Sequence, residues 1–167
     1  MRTIIHLFNS RQVLYAYQVS DRNLTESREQ MKKIAAHPGL YNPDNQTVSL
    51  IGTQCADCHT NFFPPLNIGC EVCGCQDLTK IELPAGGTVH STATVHLYAG
   101  KDINAPFTVA EISLDDGPLV RGLLTEVTDE DLIGMRVLAE WIEVGQDENE
   151  DSRVEPRFRV VSDGESA

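Results

Sequence analysis

Cys55-Ala56-Asp57-Cys58 and, eleven residues further on, Cys70-Glu71-Val72-Cys73 decide how this chain is read. The pattern is C-x2-C-x11-C-x2-C. A two-residue gap lets both sulfurs of a tight turn face one ion, while backbone N–H groups of the turn help to neutralise them. Two such turns offer four sulfurs in a tetrahedral set, which suits Zn²⁺. Cys55, Cys58, Cys70 and Cys73 are therefore the expected metal ligands. With every position filled by thiolate the site is closed, so its expected role is structural. Spacing does not choose the metal, and iron in the same ligand set stays open. The competing reading is disulfides or reduced structural cysteines, and disulfides are disfavoured where no secretion signal is found. Cys75 lies two residues past Cys73 and should point away from the ion. His59 follows Cys58 directly, but four cysteines already complete the set.

Working outward, residues 41–85 are rich in turn formers (Pro43, Pro64, Pro65, Gly69, Gly74) and poor in large apolar side chains. Such a segment needs a staple in place of a core. Residues 86–161 carry short apolar runs separated by turn signals: Thr88 to His96, Phe107 to Leu114, Leu119 to Leu124, Met135 to Val144 and Arg157 to Val161. Asp115-Asp116-Gly117-Pro118 reads as a turn, Asp129-Glu130-Asp131-Leu132 as one helical turn, and residues 145–155 as a solvated acidic loop. About five strands and few helices indicate a small five-stranded barrel. Upstream, Arg2 to Phe8 reads as a short strand. Asn23-Leu24-Thr25-Glu26 resembles a capping box, and Leu24, Met31, Ile34 and Ala35 form a helical stripe that Pro38-Gly39 ends. This amphipathic helix packs either on its own domain or on a partner. The expected class is mainly β: an N-terminal helical extension at 1–40, a cysteine ribbon at 41–85, a barrel at 86–161 and a frayed tail at 162–167.

The 167 residues are 41% hydrophobic, enough for a real core, and carry a formal charge of −12. Residues 1–54 hold six Lys/Arg against four Asp/Glu, residues 55–110 two against five, and residues 111–167 five against sixteen. The acidity belongs to the last third, which would repel a polyanionic backbone. No apolar stretch is long enough to span a membrane. Met1 to Phe8 meets Asn9-Ser10-Arg11 too early for a signal peptide, so the expected compartment is the cytoplasm. His90 and His96 fall on one face of an expected strand, roughly 20 Å apart, too far to share a metal. The chain has no G-x-S-x-G, P-loop, dinucleotide fingerprint or H-E-x-x-H. The expectation is a chain without a catalytic set of its own.

Several segments occur in the order of one known family: Cys55-x2-Cys58, Asn61-Phe62-Phe63-Pro64-Pro65, Cys70-x2-Cys73-Gly74, Gly86-Gly87-Thr88-Val89, Phe107-Thr108-Val109-Ala110, Leu114-Asp115-Asp116-Gly117 and Leu132-Ile133-Gly134-Met135-Arg136-Val137. Over about residues 35–161 the chain resembles the DUF35 family, whose members join a rubredoxin-like zinc ribbon to an OB-fold. The resemblance implies that Cys55, Cys58, Cys70 and Cys73 bind zinc. It also implies an accessory subunit of an acyl-CoA enzyme, with a thiolase-like partner that carries the nucleophile. A hot-dog-fold enoyl-CoA hydratase or a retro-aldolase is the alternative partner. Some members help to form the acyl-CoA channel. Arg153, Arg157 and Arg159, with Lys80 or Lys101, are the candidates by charge for CoA phosphates. Phe62 or Phe63 either meets a partner or ligand or closes the ribbon–barrel seam, and Gly86 and Phe107 receive no catalytic role. Here the N-terminal extension is longer, and the barrel more acidic, than is usual in the family. Single-stranded nucleic-acid binding, which OB-folds often perform, is disfavoured by that acidity and by few ring platforms.

Overall fold

The computed structural model describes residues 32–45, 47–101 and 103–161. The strand expected at Arg2 to Phe8, the helix expected from Asn23 up to Met31, and the tail after Val161 lie outside the described residues. The described residues carry nine strands and no helix: β1 (Lys33–Ala35), β2 (Ser49–Cys55), β3 (Asn61–Phe62), β4 (Leu78–Pro84), β5 (Gly86–Val95), β6 (Phe107–Leu114), β7 (Leu119–Leu123), β8 (Arg136–Gln146) and β9 (Ser152–Val160). They form a three-stranded sheet, β3-β2-β4, and a six-stranded sheet, β1-β9-β8-β5-β6-β7.

The larger sheet closes on itself. Leu124, just past β7, bridges in parallel to Phe158 of β9, and the Thr125 N–H donates to the Phe158 carbonyl at 2.8 Å. Five antiparallel-built strands, β5 to β9, closed by a parallel contact between the third and the fifth, make an OB-fold barrel. β6 shows why these residues form a barrel wall. Thr108, Ala110, Ile112 and Leu114 are buried, and the residues between them are not. That two-residue period puts one face inside.

The core is continuous between the two sheets. Tyr41, Val48, Leu50 and Leu83 pack in one cluster with Val89, Ala110, Ile112, Val137 and Phe158, and Phe63 packs against that cluster. Phe63 thus closes the seam. Tyr41 stacks at a tilt on Trp141 at 5.7 Å, and the Trp141 indole N–H donates to the Asn45 carbonyl at 3.4 Å. The ribbon segment is less poor in core than its composition suggests, because it borrows the barrel's.

Four local expectations are corrected. Ile34 and Ala35, read as the end of a helical stripe, belong to β1, which pairs in parallel with Ser152 to Val154. Asp129 to Leu132 is not helical. Thr108, buried in β6, accepts the Thr128 N–H at 3.1 Å, and the Thr94 hydroxyl donates to the Thr128 carbonyl at 2.7 Å. These bonds hold the connection extended while Leu132 is buried. The acidic loop is shorter than expected, because β9 begins at Ser152 and buries Ser152 and Val154. His90 is the extra residue of a bulge between Val89 and Ser91, so it and His96, which lies past the end of β5, do not share one strand face.

Four of the segments that carry the resemblance meet at one junction. Arg136 donates to both carboxylate oxygens of Asp115, at 2.5 and 2.6 Å. The Asn61 side-chain amide donates to the Asp116 carbonyl at 2.6 Å, and the Asp115 N–H donates to the Gly86 carbonyl at 3.1 Å. Gly87 sits where a Cβ would lie 2.3 Å from the Ser113 carbonyl oxygen. The Arg136 guanidinium holds the Asp115 carboxyl below its ordinary range. A depressed carboxylate stabilises above its unfolded value, and the gain is lost as pH falls through the folded one. Asp115 is 45% exposed at its side chain. Asp115→Asn is therefore expected to cost at most about 1 kcal/mol at neutral pH, with no cost once the pH is below the folded value. Urea titrations at neutral and strongly acid pH check this.

Candidate metal centre

Two knuckles of matching geometry build the cysteine site. In the first, the Cys55 N–H donates to the Thr60 carbonyl at 3.0 Å and the His59 N–H to the Cys55 carbonyl at 3.1 Å. In the second, the Cys70 N–H donates to the Cys75 carbonyl at 2.7 Å and the Gly74 N–H to the Cys70 carbonyl at 2.9 Å. The residue after each second cysteine takes a left-handed backbone, His59 at φ 56° and Gly74 at φ 78°. That turn lets both sulfurs of a knuckle converge. β2 delivers Cys55 at its end, and β4 carries the chain back into the sheet after the second knuckle.

The Sγ atoms of Cys55, Cys58, Cys70 and Cys73 all lie within 4.8 Å of one another. Cys55 and Cys73 are 3.5 Å apart, as are Cys58 and Cys70. Sulfurs about 2.3 Å from a tetrahedral zinc would be spaced by about 3.8 Å. No disulfide is formed among the five cysteines. Cys55 and Cys70 are buried. This all-sulfur donor set fits a metal ion such as zinc.

The turn dipoles act on the sulfurs as expected. Backbone N–H groups of Cys58 and Asp57 hold the Cys55 thiol down. The Val72 N–H lies 3.4 Å from the Cys70 sulfur. Thr60 Oγ1 lies 3.2 Å from the Cys58 sulfur. That side chain, then the Thr60 backbone N–H, brings the Cys58 thiol down to about 6. At Cys73 the Cys75 backbone N–H lowers the thiol, but the Cys55 sulfur, burial and the other two sulfurs outweigh it and push it up to about 12. Four sulfurs this close cannot all ionise without a cation to balance them.

Cys75 is outside this set. It occupies the place Thr60 holds in the first knuckle, and its sulfur faces Asp77, whose N–H lies 3.4 Å away. His59 supplies the left-handed turn residue. His59→Gly is expected to leave metal content unchanged and stability within about 1 kcal/mol, because glycine accepts that φ without strain. Elemental analysis with thermal melts checks it, and loss of the metal would make His59 a ligand.

The charged CoA candidates come from three different segments. Lys80 lies on β4 and Lys101 in the connection after β5, while the arginines lie on β9. Arg157 pairs with Glu155 at 2.9 Å and Arg159 with Glu140 at 3.4 Å. No described helix is long and apolar enough to cross a membrane.

Residues 80–141 match the family model described as "ChsH2, C-terminal OB-fold domain". A protein of Methanocaldococcus jannaschii described as a "DUF35 domain-containing scaffold protein" is 34% identical over 102 residues, which is 59% of this chain and 71% of that protein. The solved structure "Ltp2-ChsH2(DUF35) aldolase" contains a chain with 29% identity and a TM-score of 0.55, covering 67% of this chain and 84% of that one. With a ribbon of paired knuckles running into an OB-fold barrel, and with that relative aligned over most of its length, the chain belongs to the DUF35 family.

Proposed function

We propose that this chain is a non-catalytic accessory subunit of a cytoplasmic acyl-CoA-processing complex, and that Cys55, Cys58, Cys70 and Cys73 hold one structural zinc ion in it. The ion would fix the two knuckles and offers no open position for substrate. The observation that carries the reading is the relationship to a scaffold protein over 71% of that protein's length. A thiolase-like enzyme is the partner that the family resemblance favours, with the subunit supporting assembly and the acyl-CoA channel. A second reading, a retro-aldolase partner, is favoured by the similar solved structure, an aldolase, which this chain matches over 84% of that structure's chain.

The test is purification of the tagged chain at native expression level, with its partners kept. A thiolase-like or aldolase-type subunit should accompany it in fixed stoichiometry, and the complex should make or break a carbon–carbon bond in a CoA thioester. A monomer that carries no enzyme would overturn the reading. Metal analysis of the same preparation decides between zinc and iron.

A further inference from the structure

A groove of about 520 Å³ opens where β7 and β9 close the barrel. Leu124, Leu132 and Phe158 line it and are buried. Met135 and Val160 also line it, yet are 41% and 37% exposed. Val127 and Ile133, on the connection that forms one wall, are exposed as well, at 52% and 63%. Met135 and Val160 are apolar groups left exposed within a preformed groove, which marks an interaction surface rather than scattered surface residues.

The charge around the groove is predominantly negative. Glu126, Glu130 and Glu140 line it. Arg159 is the cationic group of the lining and already faces Glu140 at 3.4 Å. The connection from Thr125 to Met135 carries Glu126, Asp129, Glu130 and Asp131 and no Lys or Arg. A polyanion such as a CoA pyrophosphate would be repelled here. A polypeptide segment with Lys or Arg around apolar side chains is complementary, because the aliphatic stems can lie along Met135 and Val160 while the cationic heads reach the carboxylates.

We propose that this groove seats a basic, apolar-anchored segment of the enzyme subunit. The proposal rests on the accessory-subunit reading and adds which face of the barrel is used and what chemistry the partner brings to it.

The test has two arms, both with the full chain. In the first, the 15N-labelled protein is titrated with a short synthetic peptide of lysine and leucine, and with the same peptide carrying glutamate in place of lysine. Amide shifts should concentrate on residues 124–135 and 158–160, the glutamate peptide should not bind, and the double variant Glu126→Lys/Glu130→Lys should weaken the lysine peptide about tenfold at low salt. Both glutamates are exposed, so the variant should melt like the parent. Shifts elsewhere, or equal affinity in parent and variant, would overturn the proposal. So would a dimer of the free chain that Met135→Asp converts to monomer, because a second copy would then own the groove. In the second arm the complex is purified from parent and variant. Loss of the enzyme subunit from the variant alone supports the groove, and full retention sinks the groove while sparing the subunit reading. A parent chain without any enzyme subunit sinks the subunit reading and the proposed occupant with it.

Discussion

Cys70→Ser is expected to empty the metal site and lower the melting temperature by about 10–20 °C, whereas Cys75→Ser should leave both unchanged. Cys70 is 4% exposed and sits in the second knuckle, where its N–H, its carbonyl and its sulfur all have partners. Removing one thiolate leaves three sulfurs crowded without a full coordination sphere. The binding free energy of a structural zinc is folding free energy, on the order of 10 kcal/mol for small sites. The whole of it should not be lost from global stability, because β2 and β4 are also anchored at their other ends by Leu50 and Leu83 in the shared core. The expected outcome is therefore largest at the knuckles. Amides of the knuckles, His59, Cys70 and Gly74, should lose hydrogen-exchange protection almost entirely, while β5, β6 and β8 lose only the smaller part that the lowered melt implies. A chelator should reproduce this in the parent protein. Full metal content and an unshifted melt in Cys70→Ser would contradict the four-cysteine site, and a melt lowered equally by Cys75→Ser would bring the fifth sulfur into it.

The cysteine cluster was legible because its information is local. Spacing of two residues sets each knuckle, and the left-handed positions after Cys58 and Cys73 follow from that turn. The β6 strand was legible for the same reason, since its two-residue period is written in consecutive residues. What was not legible depended on distant partners. Ile34 and Ala35 satisfy a helical period, but their backbone groups pair with β9, more than a hundred residues away in sequence. Asp129 to Leu132 looks like a helix start, but Thr94 on β5 and Thr108 on β6 claim the Thr128 backbone. The bulge at His90 has no mark in its own side chain. The groove by β7 and β9 was hidden as well. Its acid residues were counted as a regional charge, and no sequence period could show that Leu124, Met135, Phe158 and Val160 share one wall.

The junction of Asn61, Gly86, Asp115, Asp116 and Arg136 gives four of the segments that carry the resemblance a single physical meaning. Together they lock the ribbon's short strand to the β6–β7 turn and to the start of β8. This junction, with Phe63 and Tyr41 packed into the common core, couples ribbon to barrel.

Phe158→Ala is expected to destabilise the protein by about 3–5 kcal/mol, seen as a melt lowered by roughly 10 °C or more. Phe158 is 2% exposed, and its carbonyl accepts the Thr125 N–H that closes the barrel. Its ring lies over Gly122 on β7, where an added Cβ would come within 2.6 and 2.7 Å of two ring carbons. That contact explains a glycine in the middle of a strand whose φ does not require one. It also makes a sharper test than the single variant. Gly122→Ala alone should cost about 1–3 kcal/mol, because the buried ring must shift to admit the methyl group. In the Phe158→Ala background the clash is gone, the new methyl fills part of the space the ring leaves, and alanine relieves the entropic cost of glycine in a strand. Gly122→Ala should then be neutral or stabilising, a coupling of at least about 1 kcal/mol between the two sites. Phe158→Leu, which keeps most of the apolar volume, provides a folded background should the alanine variant melt near room temperature, and there the cost of Gly122→Ala should fall between the two. Equal costs of Gly122→Ala in all three backgrounds would mean that the ring does not rest on Gly122, and the closure between β7 and β9 would need another account.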